Sequence, residues 1–135
     1  MKELTVDAIR ENLPRVTAFL EEALEACDCP MKAQMQIDVA ADELFSNVAG
    51  YAYAGGPGKL TVRFAFEEAN RMAVIRFIDS GVPFDPLQND DPNVTAKAED
   101  RKIGGLGIFL VKKLMDEVEY RRENDCNIVT VRKKI

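Results

Sequence analysis

The chain contains no histidine. That absence removes Ser-His-Asp and Cys-His nucleophilic catalysis, and with them any self-phosphorylation on histidine. Zinc is short of ligands as well, because only three cysteines are present. Cys27 and Cys29 form a C-x-C in a loop and Cys126 stands alone, which falls short of a four-ligand site. No stretch reaches the ~18 consecutive apolar residues that a membrane span needs, and the opening "MKELTVDAIR" has no apolar run of signal-peptide length. The expectation is a cytoplasmic protein with no membrane partner. A basic excess is missing too: 18 Lys and Arg against 23 Asp and Glu leave a net charge of −5, without the electrostatic footprint of a nucleic-acid binder. Arg121, Arg122, Arg132, Lys133 and Lys134 do cluster late in the chain, where they read as a solvated strand face. Internal repeats and low-complexity segments are absent. Any chemistry must therefore come from carboxylates, lysines, amides, backbone groups or a metal.

What is present suits one domain spanning 1–135, with 47% hydrophobic and 30% charged residues and enough length for a real core. "KELTV" alternates as a short strand over 2–6. Leu13, Val16, Phe19, Leu20 and Leu24 recur at helical spacing, with Pro14 in the first turn, where proline is tolerated. A second helix starts near Met31 after Pro30 and runs through "MKAQMQIDVAADELFSNVAGYAY". "GGPG" at 55–58 is a turn. Strands 59–66 and 71–79 follow, joined by "EEAN" as a β-hairpin. Residues 82–103 are rich in chain breakers, and a loop of that length inside a domain tends to be functional. A glycine-led helix over 105–116, with Ile108, Phe109, Val111 and Leu114 expected to pack on the sheet, and strands 117–123 and 127–134, joined across "NDCN", complete the chain. The order predicts an α+β fold: a two-layer sandwich with a mostly antiparallel sheet covered on one face by helices.

Three constellations could carry chemistry. Glu43 and Asn47 in "ADELFSN" are four apart and so share a helix face, with Val39, Leu44, Phe45 and Val48 as the apolar positions nearby. A glutamate can act as a general base and an amide oxygen can ligate a hard cation such as Mg²⁺; the bland alternative is an exposed glutamate with an asparagine at a fraying helix end. Asp79 ends an apolar strand and Gly81 permits a sharp turn right after it. Such a carboxylate can accept from an exocyclic amine like that of adenine, or it can simply initiate a turn. Gly104, Gly105 and Gly107 open a helix whose backbone N–H groups and dipole would favour an anion, though tight packing alone would also explain them. No Walker A or Rossmann fingerprint is present.

The order of these pieces is similar to the nucleotide site of the GHKL ATPase superfamily, which includes histidine kinases, gyrase-type ATPases and MutL. It runs E-x-x-x-N on a helix, D-x-G after a strand, a long loop, then G-x-G opening a helix. The likeness spans 31–135. The phrases "DSGVPFDP" and "GGLGIFLVKKLMDEVEY" most resemble the anti-sigma-factor serine/threonine kinase branch. The resemblance implies a Bergerat-type ATP-binding fold, with Glu43 as the base and Asn47 holding Mg²⁺ at the phosphates of ATP or ADP. It implies Asp79 on the adenine amino group and Gly81 letting the base approach the backbone. Gly105 and Gly107 would meet the phosphates, Gly104 would extend the entry, and 85–103 would be the ATP lid, ending in Arg101 and Lys102 as γ-phosphate partners. Tyr51 stands about where that family carries a histidine. The implied activity is phosphorylation of an anti-sigma factor antagonist of the STAS type on Ser or Thr, alternating with inhibition of a sigma factor. The resemblance also admits a homodimer. A non-catalytic module whose nucleotide gates a partner remains the alternative, and an independent ATPase a more distant one.

Overall fold

The computed structural model describes residues 1–53, 56–88 and 105–135. Among the described residues five strands and three α-helices follow in the predicted order: β1 (Lys2–Asp7), α1 (Leu13–Glu25), α2 (Met31–Asn47), β2 (Lys59–Glu67), β3 (Met72–Asp79), α3 (Gly105–Leu114), β4 (Glu117–Glu123) and β5 (Cys126–Lys134). The strands form one sheet in the order β1-β2-β3-β5-β4, and every neighbouring pair is antiparallel. This is the expected α+β sandwich.

Strand parity decides which side chains meet the helices. In the observed register Leu60, Val62 and Phe64 of β2 stand opposite Asp79, Phe77 and Ile75 of β3, which in turn face Asn127, Val129 and Val131 of β5. All nine are buried. Against them pack Val16, Leu20 and Leu24 from α1, Ile37, Ala41, Leu44 and Phe45 from α2, and Ile108 and Val111 from α3. Each such apolar side chain contributes about 1.5–3 kcal/mol on leaving water. The opposite sheet face mixes polar side chains with apolar ones such as Val74, Ile78 and Ile128. One row across it reads Glu3, Arg63, Arg76, Thr130, Glu119, with Glu3 paired to Arg63 at 2.6 Å and Glu119 to Arg132 at 2.6 Å.

The late basic cluster is accordingly divided among separate tasks. Arg132 pairs with Glu117 and Glu119, Arg121 with Glu123, and Lys133 Nζ donates to the Leu114 carbonyl at 2.8 Å, capping the C-terminal end of α3 where its dipole favours a cation. Several boundaries differ from expectation. The first hairpin turns over 68–71, with Arg71 at φ 49°, so β3 begins at Met72. The second turns at Asn124 and Asp125, with φ of 53° and 61°, the left-handed pair of a type I′ turn; Cys126 therefore belongs to β5. The α3 helix ends at Leu114 because Met115 and Asp116 lead directly into β4. Val39, read as part of the apolar stripe of α2, is 44% exposed.

Arg71 closes one end of the molecule. Its Nη2 donates to the Cys27 carbonyl at 2.9 Å and its Nε to the Ile135 carbonyl at 3.0 Å. The candidate site lies at the other end of the sheet, where β3 finishes and β5 begins.

Candidate functional site

The helix α2 does not stop at Asn47 but widens into a π-type turn over Val48–Ala52. That extension carries the chain across the end of β3. There the Ala52 carbonyl accepts from Val82 N at 2.8 Å. Tyr53 adds a clamp, its hydroxyl donating to the Lys59 carbonyl at 2.6 Å and accepting from Ser80 N at 2.9 Å. The approach is close: a Cβ on Gly81 would overlap the backbone carbonyl of Ala52. Gly81 thus serves contact between two backbones, and Arg122 Nη1 holds its carbonyl at 2.9 Å from the β4 side.

Asp79 points inward by strand parity and is 6% exposed. Its Oδ1 accepts from Gly81 N at 2.9 Å and from Asn127 Nδ2 at 2.9 Å; Oδ2 has no partner among the described residues. Above it is a pocket open to solvent, mostly apolar with a few polar groups, as small-molecule and cofactor sites are. Its walls are apolar. Leu44, Val48 and Ala52 supply one side, Phe77 and Val129 of the sheet the floor, and Phe84 and Pro86 the other side. Three polar side chains interrupt them: Asp79, Asn47 and Asn127. Phe84 also stacks on Tyr51 at the exterior, with ring centroids 6.4 Å apart.

Asn47 lines this pocket one helical turn beyond Glu43. Glu43 is half-buried, and its carboxylate lies against Gly107 in the first turn of α3, so closely that a Cβ there would overlap it. The predicted residues Glu43, Asn47, Asp79, Gly81 and Gly107 are therefore gathered at one end of the sheet. The α3 helix begins at Gly105, as predicted, with Ile108 and Val111 on the sheet; Phe109, expected to join them, instead lies under Lys113 Nζ, 5.3 Å from its ring centre. Of the expected lid, 85–88 are described: Leu87 N donates to Asp85 Oδ1 at 2.8 Å, closing a turn that sets Pro86 against the pocket. Residues 89–103, including Arg101 and Lys102, and Gly104 lie outside the described residues.

A hard cation finds an incomplete set of protein ligands here. Among the described residues no group of three or more acidic or cysteine side chains could hold a metal. The Asn47 amide has no partner among the described residues, and its oxygen could serve as one ligand to a Mg²⁺ otherwise held by substrate phosphates and waters.

Asn127 escaped the sequence reading. It is the first residue of the expected strand 127–134 and belongs to none of the three constellations, yet it is 2% exposed and donates to Asp79. A signal was present: "NIVTV" alternates, and Asn127 occupies the inward phase shared by Val129 and Val131, a polar residue at a core position.

Comparison with known proteins places this geometry among relatives. The profile of the histidine kinase-like ATPase domain matches residues 6–133. The chain is 32% identical over 98 residues to the serine-protein kinase RsbW of Listeria monocytogenes, covering 69% of this chain and 61% of that protein. It is 23% identical over 100 residues to the serine/threonine-protein kinase BtrW of Bordetella bronchiseptica, covering 74% of this chain and 70% of the relative. Among solved structures, that of the RsbU and RsbW domains of Rv1364c from Mycobacterium tuberculosis superposes with a TM-score of 0.67 at 18% identity, over 99% of this chain and 32% of that one. At that identity the likeness concerns the fold.

Proposed function

The chain belongs to the histidine kinase-like ATPase domain family, and from that premise we propose that it is an ATP-dependent serine/threonine protein kinase of the anti-sigma type. In this reading 1–135 forms one cytoplasmic unit that phosphorylates a STAS-type antagonist and holds a sigma factor inactive. The observation that carries it is the alignment of groups at one end of the sheet. An apolar slot has at its base a carboxylate oxygen with no partner among the described residues, and Asn47 and Glu43 rise from it along one helix face toward the first turn of α3.

Each group then has a task set by its position. The apolar walls take the flat faces of adenine, and Asp79 Oδ2 accepts from its exocyclic amine. The triphosphate extends past Asn47 to the N-terminal turn of α3, whose backbone N–H groups and dipole favour an anion. Mg²⁺, when bound, would neutralise phosphate charge, with the Asn47 amide oxygen as its protein ligand. Glu43 removes the proton from the acceptor Ser or Thr hydroxyl as that oxygen bonds to the γ-phosphorus and the bond to the β–γ bridging oxygen breaks, leaving ADP. None of these tasks needs a histidine.

The test is phosphoryl transfer by Glu43→Gln with labelled ATP and the cognate antagonist. Transfer is expected to fall by about 10²-fold or more, with ATP affinity changed less than about threefold by calorimetric titration. Wild-type transfer rates in this variant would remove Glu43 from the chemistry. Nucleotide-dependent capture of the antagonist with no phosphoprotein in the wild type would favour the nucleotide-gated binding module instead.

A further inference from the structure

Asn127 lines the pocket, yet it has nothing left to offer a ligand. An asparagine side chain carries two N–H donors and an oxygen with two lone pairs, and here all four are used. Nδ2 donates to Asp79 Oδ1 at 2.9 Å and to the Val82 carbonyl at 2.8 Å. Oδ1 accepts from Tyr120 Oη at 2.6 Å and from Phe84 N at 3.2 Å. Two fixed acceptors on one side and two donors on the other leave a single orientation of the amide, since a flip would set oxygen against oxygen.

The consequence falls on Asp79. Its carboxylate could turn about χ2 and exchange its oxygens, but two N–H donors pin Oδ1, one from Asn127 and one from Gly81. The orientation of the carboxylate is thereby fixed, and its second oxygen has no partner among the described residues. The same amide ties Val82 and Phe84 to β5, fixing the wall opposite α2.

We infer that Asn127 is a positioning residue that holds Asp79 with one oxygen bare toward the pocket and so sets the recognition of a purine by its exocyclic amine, with Tyr120 orienting the amide from β4. This rests on the reading of the pocket as an adenine site and adds the group that gives Asp79 its selectivity. Asn127 acts through Asp79 and makes no contact with the base itself.

The experiment compares the affinities of Mg²⁺-ATP and of Mg²⁺-purine riboside triphosphate, which lacks the 6-amino group, by calorimetric titration. Wild type should prefer ATP by about tenfold or more, the size of one hydrogen bond to a charged acceptor. Asn127→Ala should reduce that preference to less than about threefold, mainly by weakening ATP. Tyr120→Phe, on a half-buried edge-strand residue, should give an intermediate preference and keeps the test decisive where Asn127→Ala does not fold. If Asn127→Ala or Tyr120→Phe weakens both nucleotides equally and leaves the preference at its wild-type value, Asn127 merely supports the fold and the inference is overturned. A wild type that binds neither nucleotide, or both alike, fails differently: it overturns the adenine reading itself and the inference with it.

Discussion

Gly81 and Gly107 are bare for different reasons, and the difference predicts different outcomes for the same substitution. A methyl at 81 would meet the Ala52 carbonyl, a backbone group held by its bond from Val82 N. Nothing there can yield cheaply, so Gly81→Ala should destabilise the fold by about 1–3 kcal/mol, seen as a lower midpoint in urea unfolding. A methyl at 107 would meet the end of the Glu43 side chain, which can rotate away. Gly107→Ala should therefore keep its unfolding midpoint within about 0.5 kcal/mol of wild type, while phosphoryl transfer falls by about tenfold or more because Glu43, the proposed base, is displaced. Equal loss of stability in both variants would contradict this assignment. The two glycines were singled out in the sequence for their neighbours along the chain. What they actually touch, Ala52 and Glu43, lies 29 and 64 positions away and left no local trace.

At the scale of elements, the packing of α1 on α2 contains a strained carboxyl. Asp38 Oδ1 is buried with no hydrogen-bond partner among the described residues. Burial, and secondarily the Glu21 carboxyl beside it, push the Asp38 pKa up to about 6. The fold thus favours the protonated form. Stability from this group is complete below the unfolded value near 4 and is lost as pH rises through about 6. Asp38→Asn should raise thermal stability at pH 7.5 by about 1 kcal/mol, after discounting for solvent screening. The gain should shrink steadily from pH 6 to pH 4; calorimetric melting across that range checks both sign and window, and a gain independent of pH would refute it. The helices also show where local pattern suffices. Helical spacing identified the inward residues Val16, Leu20, Leu24, Leu44 and Phe45 correctly. It failed at Val39 because an apolar residue is free to stand exposed, and at Phe109 because that ring finds Lys113 on its own helix.

For the whole molecule, the two ends of the sheet differ. Arg71 locks one end through carbonyls of Cys27 and Ile135; the other end holds the pocket between α2, the sheet and the segment after β3. A ligand there touches α2, the sheet and the segment after β3 together, so saturation should stabilise the entire fold. At about a hundred times its dissociation constant Mg²⁺-ATP should add ~2.7 kcal/mol, a rise in melting temperature of roughly 10 °C for a domain of this size. Asp79→Ala should show little of that rise, measured by thermal shift at fixed protein concentration. The element order, the two hairpins and the sharing of one helix face by Glu43 and Asn47 follow from the sequence alone, because they depend on turn residues and on periods of 2 and 3.6 residues within a short window. Tertiary structure alone decided that Asp79 meets Asn127, 48 positions on, that Tyr120 orients that amide, and that Glu43 rests on Gly107. Those meetings depend on strand register and helix docking, which bring together segments that no local period connects.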